Sequence, residues 1–104
     1  MIIFNSTFMI ETERESEFLK WFAANMHMLG NHSNSRLSAM REAGGTDWRH
    51  AEAHSIAWQT EFSSIRDAKK WSDEIFRPLA AEFEKHFAPN AIVFTSLFET
   101  IELN

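Results

Sequence analysis

The sequence contains no cysteine and no tyrosine, and it has only three glycines and two prolines among its 104 residues. Without cysteine, a disulfide framework and a thiolate metal site are both excluded. The glycines, Gly30, Gly44 and Gly45, do not build the loop that cradles a phosphate group. No apolar run approaches the roughly 20 residues that span a bilayer, and the N-terminus lacks the features of a secretion signal. We therefore expect a cytoplasmic protein without a membrane segment.

The overall charge points away from nucleic acid as a partner. The formal net charge is −5, with ten basic residues scattered along the chain, whereas phosphate binding requires a clustered basic surface. Apolar residues make up 44% and charged residues 24%, which is typical of a globular protein. The length predicts one domain over residues 1–104. Ten phenylalanines and four tryptophans predict an aromatic core, part of which could be buried between subunits.

Two periodicities divide the chain into strands and helices. Alternation of apolar and polar residues predicts strands, and apolar residues at steps of three and four predict helices. Pro78 predicts a kink or break near Phe76–Arg77 in the second helix, and Ser64 is expected to cap the start of that helix. The predicted order is strand Ile2–Ile10, helix Glu15–Leu29, strand Arg36–Arg41, strand His50–Phe62, helix Ile65–Phe87 and strand Ala91–Leu103.

This order predicts an α+β fold of the ferredoxin-like β-α-β-β-α-β type. Right-handed crossovers place both helices on one face of a four-stranded antiparallel sheet, with the first and third strands as central neighbours. The other face must take one side of strands that are apolar or small on both sides, so something should cover it. A second copy of the chain is the simplest cover, since two-fold symmetry is the commonest in oligomers. We therefore expect a homodimer.

Three short segments carry a resemblance to a known family. They are the opening Met1–Thr7, the step Ala57-Trp58-Gln59 in the third strand and the step Arg77-Pro78-Leu79 in the second helix. With these segments the chain resembles the small bacterial proteins of the domain of unknown function 4286 family. The resemblance implies a ferredoxin-like fold of the dimeric α/β-barrel kind. That wider group includes heme-degrading enzymes, cofactor-free oxygenases and ligand-binding modules, so the fold does not select a function.

Asn5, Thr7 and Gln59 form the first candidate site. They lie on the less apolar side of the two central strands, so we expect them to cluster on the sheet face away from the helices. A few convergent polar groups in apolar surroundings are typical of a small-molecule site. The alternative is that the three side chains only hydrogen-bond to one another, to water or to a second subunit.

The run His50-x-Glu52-x-His54 suggests a metal site, but strand geometry opposes it. At about 3.3 Å per residue the two histidines lie roughly 13 Å apart, whereas zinc requires ligand atoms about 2 Å from one ion. A heme site would require an axial histidine in the sheet cavity, for which His54 and His86 are available, but their spacing does not select heme. We therefore expect neither a metal nor a cofactor.

Trp48 is a large aromatic residue in a polar loop beside Arg49. It either contacts a partner or folds back on its own domain. Taken together, the sequence favours a homodimeric module that binds a small molecule or a protein through the sheet face. The alternative is a small enzyme, cofactor-free or heme-dependent, acting on a compact hydrophobic substrate. An enzyme needs a titratable group of perturbed pKa in the cavity, and the residues expected there are amides and hydroxyls.

Overall fold

The computed structural model contains both strands and helices and describes residues 1–30, 36–40 and 53–103, with residues 36–40 and residue 53 described by their backbone alone. A 3₁₀ turn lies on each side of the first helix, at Thr12–Arg14 and Met26–Leu29, and a π-helical turn, Ser72–Phe76, joins the second helix to the third. The labelled elements are β1 Ile2–Glu11, α1 Glu15–Asn25, β2 Arg36–Met40, β3 Ala53–Phe62, α2 Ile65–Trp71, α3 Arg77–Phe87 and β4 Ile92–Glu99.

The first strand shows why alternation was a reliable signal here. Every second residue of β1 is buried, beginning at Ile2 and ending at Ile10, as expected for a strand with one face on the core. Ser6 is the polar member of this series, and its hydroxyl donates a 3.2 Å hydrogen bond to the carbonyl oxygen of Trp58. The buried hydroxyl is therefore satisfied without disturbing the strand.

All strand pairs are antiparallel, and the backbone pairing follows the order β2-β3-β1-β4. The first and third strands are the central neighbours, which confirms their predicted position. Asn5 pairs with Gln59 on β3 and with Ser96 on β4, which fixes the register across the middle of the sheet. In this register Val93 and Leu97 lie on one face of β4, while Ile92, Phe94 and Phe98 lie on the other, as the alternation predicted.

The first helix is shorter than predicted. Its α-helical part ends at Asn25, and the last turn tightens to a 3₁₀ helix over Met26–Leu29. Such tightening is common at helix ends because it satisfies carbonyl groups that lack an α-helical partner. Gly30 ends the turn with φ of 78°, and its N–H donates to the carbonyl oxygen of His27 at 3.3 Å. Glycine suits this position, since φ in this region is unfavourable for other residues.

The predicted second helix is divided into α2, a π-helical turn and α3. The side chain of Ser64 accepts a 3.1 Å hydrogen bond from the N–H of Asp67, as predicted for a cap. The π-helical turn ends at Phe76, just before the proline-containing start of α3. Because a π-helical turn takes more residues than an α-helical one, the next core residue after Trp71 is Phe76, and Ile75, four residues after Trp71, is only half-buried.

The core lies between the helices and one face of the sheet, and it is largely aromatic. Phe8 packs edge-on against Phe83 and Phe22, with ring centroids 4.9 and 5.5 Å apart. Trp58 stacks on Trp71 with centroids 5.7 Å apart. The aromatic core predicted from composition is therefore confirmed. Its members are Phe4, Phe8, Ile10, Phe18, Phe22, Leu29, Ile56, Trp58, Trp71, Phe76, Leu79, Phe83 and Phe87.

The finer fold prediction requires correction. The α+β class is confirmed, but the expected ferredoxin-like sheet of four strands closing into a dimeric α/β barrel is not what the chain forms. Three antiparallel strands of eight to ten residues, β3-β1-β4, make up the sheet whose side chains are described, and β2 adds only five residues of backbone at its edge. The helices pack over β1 and β3 and leave most of β4 exposed on both faces.

Candidate binding surface

The sheet has an outer face, on the side opposite the helices, to which β1, β3 and β4 contribute side chains. Its most exposed members belong to β4, where Ile92 is 51%, Phe94 53% and Phe98 53% exposed. Next to them on β1 the side chains are half-buried, because they have a strand on each side. This outer face includes Ile3, Asn5, Thr7, Met9, Gln59, Ile92, Phe94 and Phe98.

The middle of the outer face holds a short chain of hydrogen bonds. The amide nitrogen of Gln59 donates to Asn5 Oδ1 at 3.0 Å, and the amide nitrogen of Asn5 donates to Thr7 Oγ1 at 3.2 Å. The Gln59 carbonyl oxygen and the Thr7 hydroxyl hydrogen stand at the two ends of this polar row, and they can accept and donate one further bond respectively. The row can therefore recognise a polar group on whatever covers it.

The structure brings together the three residues that the sequence singled out. Asn5, Thr7 and Gln59 lie on the predicted face, half-buried and within hydrogen-bonding distance of one another, so their predicted clustering is confirmed. The mutual hydrogen bonds are the arrangement that the alternative interpretation anticipated. A role in binding stays a prediction.

The apolar border of this polar row carries residues that were not named as site residues. Thr7 lies opposite Phe94 and Ile3 lies opposite Phe98, so two aromatic rings flank the row on the β4 side. The signal was present in the sequence, because β4 is apolar on both faces, but composition favoured full burial of most phenylalanines. Exposed apolar patches on a sheet face mark interaction sites far more often than isolated exposed residues do.

His54 lies on the opposite face, in the layer covered by helices. It is 6% exposed, and its Nδ1 lies 3.3 Å from Glu15 Oε2, although the two groups are not aligned for a hydrogen bond. Heme ligation from the sheet cavity required His54 on the outer face, so the heme hypothesis loses this ligand. The other candidate, His86, is half-exposed at the end of α3, where its Nε2 lies 3.1 Å from Glu17 Oε2.

Several residues singled out in the sequence lie outside the described part of the chain. Trp48, the predicted partner contact, is one of them, and so are His50 and Glu52 of the H-x-E-x-H run. Within residues 1–30, 36–40 and 53–103, no group of three or more metal-ligating side chains is placed to hold an ion. No helix in these ranges is both long and apolar enough to cross a membrane.

Comparison with known proteins supports the fold class and assigns a family. A solved structure titled "De novo designed protein Foldit4" is similar to this chain with a TM-score of 0.54 and 8% identity, covering 96% of this chain and 98% of that one. At this identity the likeness concerns the fold alone. No curated protein matches the sequence. The profile described as "Domain of unknown function (DUF4286)" matches residues 1–101. The chain therefore belongs to the DUF4286 family.

Proposed function

We propose that the protein is a homodimeric binding module that recognises another protein through the outer face of its sheet. The observation that carries this proposal is the set of exposed apolar side chains, Ile92, Phe94 and Phe98, beside the polar row of Asn5, Thr7 and Gln59. Aromatic anchors beside a few satisfied polar groups are typical of the centre of a protein interface.

The length of the apolar border favours a protein over a small molecule. From Ile92 to Phe98 the strand advances six residues, or about 20 Å at roughly 3.4 Å per residue. That distance matches the apolar side of a partner helix of about 13 residues at 1.5 Å per residue. A compact ligand would cover only part of it and would leave at least one phenylalanine in water. The partner we expect is an amphipathic helix whose apolar side lies along β4.

The polar row sets the chemistry at the centre of the interface. An amide or hydroxyl side chain on the partner can donate to the Gln59 carbonyl oxygen and accept from the Thr7 hydroxyl. Burial of these groups without a partner would cost about 1–3 kcal/mol each. The row therefore selects a partner with one polar residue among its apolar ones, and it disfavours a uniformly apolar surface.

Native mass spectrometry of gently purified protein tests the proposal. We expect the chain to retain a second, different polypeptide. Phe94→Ser should lose that polypeptide, since it removes an exposed aromatic anchor, and Gln59→Ala should weaken its binding by about tenfold. The matched control is Ile65→Ser, because Ile65 is 47% exposed at the start of α2 and lies away from the outer face.

Each result has a defined meaning. A retained organic molecule of low mass that Gln59→Ala releases would replace the protein partner with a small ligand at the same site. Retention of the polypeptide by Phe94→Ser would contradict the proposed surface. Equal loss in Ile65→Ser would show that the effect is general destabilisation.

A further inference from the structure

The last strand is the least covered of the strands whose side chains are described. β4 lies at the end of the sheet, so one of its edges carries backbone N–H and carbonyl groups that no strand of the β2-β3-β1-β4 sheet pairs. Seven of its eight residues are exposed, and Val93 is the half-buried one. Its apolar residues are Ile92, Val93, Phe94, Leu97 and Phe98. Exposed faces and a free edge on one apolar strand are unusual in an isolated domain.

The edge lacks the features that normally prevent strands from pairing. Natural edge strands carry lysine, proline, an inward-pointing charge or a bulge, and residues 92–98 contain no proline and no charged residue. Glu99 is the first charge, at the end of the strand. Nor is the strand short, since eight residues exceed the usual strand length.

The distribution of charge favours β4 as the place where a second copy approaches. Each chain has a net charge of −5, so two copies repel one another over most of their surfaces. The uncharged stretch 92–98 is a place where the two chains can meet without opposing carboxylates. A second copy can therefore approach this edge with less repulsion than it meets elsewhere on the chain.

The sequence of β4 is complementary to itself about Thr95. In an antiparallel pair related by a two-fold axis perpendicular to the sheet, the faces are preserved, so paired residues must share a face. With the axis at Thr95, Val93 pairs with Leu97 and Ile92 pairs with Phe98, each twice. An axis at Ser96 would instead place Val93 opposite Glu99. The first register pairs apolar side chains on both faces of the sheet, which is the favourable arrangement across strands.

We propose that a second copy of the chain pairs with the free edge of β4, antiparallel and centred on Thr95, so that the two sheets become one continuous sheet. This inference rests on the homodimer of the proposed function and specifies its interface. It leaves the polar row of Asn5, Thr7 and Gln59 uncovered, so both outer faces of the dimer remain available to a partner.

Light scattering coupled to size-exclusion chromatography tests the edge in solution. The wild-type chain should elute as a dimer, and Thr95→Lys should raise the dimer dissociation constant by at least tenfold, because two ammonium groups meet at the axis. Ala81→Lys adds the same charge on the exposed side of α3 and should leave the dimer intact. A monomeric wild type, or a dimer that tolerates Thr95→Lys but is lost in Thr7→Lys, would overturn the proposal.

A single introduced cysteine tests the register, since the chain has none of its own. Directly opposed residues have Cα atoms about 4.5–5.5 Å apart, within reach of a disulfide. Thr95→Cys should therefore give a covalent dimer on mild oxidation, whereas Ala81→Cys should not. Equal cross-linking of both would show random collision and would refute the register.

Two variants test the dimer contact and the partner contact independently. The side chain of residue 95 points to the helix side of β4, away from the outer face. The Thr95→Lys variant should therefore lose the dimer and still retain the partner polypeptide. Gln59→Ala should weaken partner binding by about tenfold and keep the dimer. If Thr95→Lys leaves the dimer unchanged while Gln59→Ala still weakens partner binding, only the edge proposal fails.

Discussion

At the scale of single residues, Glu17 connects the first and third helices. Its carboxylate accepts hydrogen bonds from Arg14 Nη2 at 2.8 Å and Arg14 Nε at 3.2 Å, and its Oε2 lies 3.1 Å from His86 Nε2. The same guanidinium lies over the Phe87 ring, 4.6 Å from its centroid. The hydrogen bond from Arg14 is the main cause that lowers the pKa of the Glu17 carboxyl below its usual value of 4.5; desolvation opposes it, and the hydrogen bond from His86 lowers the pKa further.

This arrangement predicts a contribution to stability that acid removes. Because the pKa of Glu17 is lowered in the folded state, its contribution is present above the unfolded pKa and is lost as pH falls through the folded pKa. We expect the unfolding midpoint of the wild type to fall more than that of Glu17→Gln between about pH 5 and pH 3. Urea titrations across this range measure it, with Glu84→Gln on the exposed side of α3 as the control. Parallel curves for wild type and Glu17→Gln would contradict the prediction.

The residues of the candidate site were predictable in position but not in exposure. Asn5, Thr7 and Gln59 could be placed on one face because strand periodicity fixes the side of each residue. Their hydrogen bonds depend on register, which sequence alone did not give. The exposure of Phe94 and Phe98 was not predictable either, because phenylalanine usually indicates burial. The exposure of these two rings is decided by the arrangement of the helices, which do not pack over β4.

At the scale of elements, the start of α2 depends on one side chain. Ser64 Oγ accepts a hydrogen bond from the N–H of Asp67, one of the groups that lack a partner in the first helical turn. Ser64→Ala should lower the free energy of unfolding by about 1 kcal/mol. Ser63→Ala, one residue earlier and exposed, should change it by less than about 0.5 kcal/mol. Chemical denaturation of both variants makes the comparison, and equal effects would argue against the cap.

The π-helical turn buries a different residue from the one that a regular α-helix would bury. Trp71 and Phe76 are both buried five residues apart, whereas regular spacing selects Ile75. We expect Phe76→Ala to cost about 3–5 kcal/mol and Ile75→Ala roughly 1–2 kcal/mol, since Ile75 is half-buried. Urea unfolding of the two variants tests this. A larger loss in Ile75→Ala would mean that the helix runs without the wider turn.

The elements were predicted well where one periodicity runs uninterrupted. β1 follows the prediction because its alternation is complete, and the α2–α3 region begins and ends at the predicted residues, Ile65 and Phe87. Pro78 predicted a kink or break near Phe76–Arg77, and the π-helical turn meets α3 at this point. The π-helical geometry itself was missed, because a single added residue per turn shifts the apolar series by only one position. The 3₁₀ turn at Met26–Leu29 was missed for a similar reason, since both helix types place apolar residues three apart.

At the scale of the whole molecule, the predicted order of elements and the predicted central pair of strands agree with the structure, whereas the expected dimeric α/β barrel was wrong. The outer face was expected to be covered because β4 is apolar on both sides. In the structure the helices pack over β1 and β3, and β4 extends beyond them. The excess apolar character of β4 therefore reflects its free edge as much as its outer face. The sequence could not separate these two causes, since both produce the same run of apolar residues.

Pairing through β4 predicts that protection of one strand depends on protein concentration. The amide groups of β1 bond to strands on both sides within one chain, so their hydrogen exchange at native pH should not respond to dilution. Outward-facing amides of β4 should exchange faster after a dilution on the order of a hundredfold, because mass action dissociates the dimer. In Thr95→Lys the β4 amides should already exchange fast at high concentration. Equal dilution effects on β1 and β4 would mean that dissociation unfolds the whole chain, and no effect on β4 would mean that its edge does not pair.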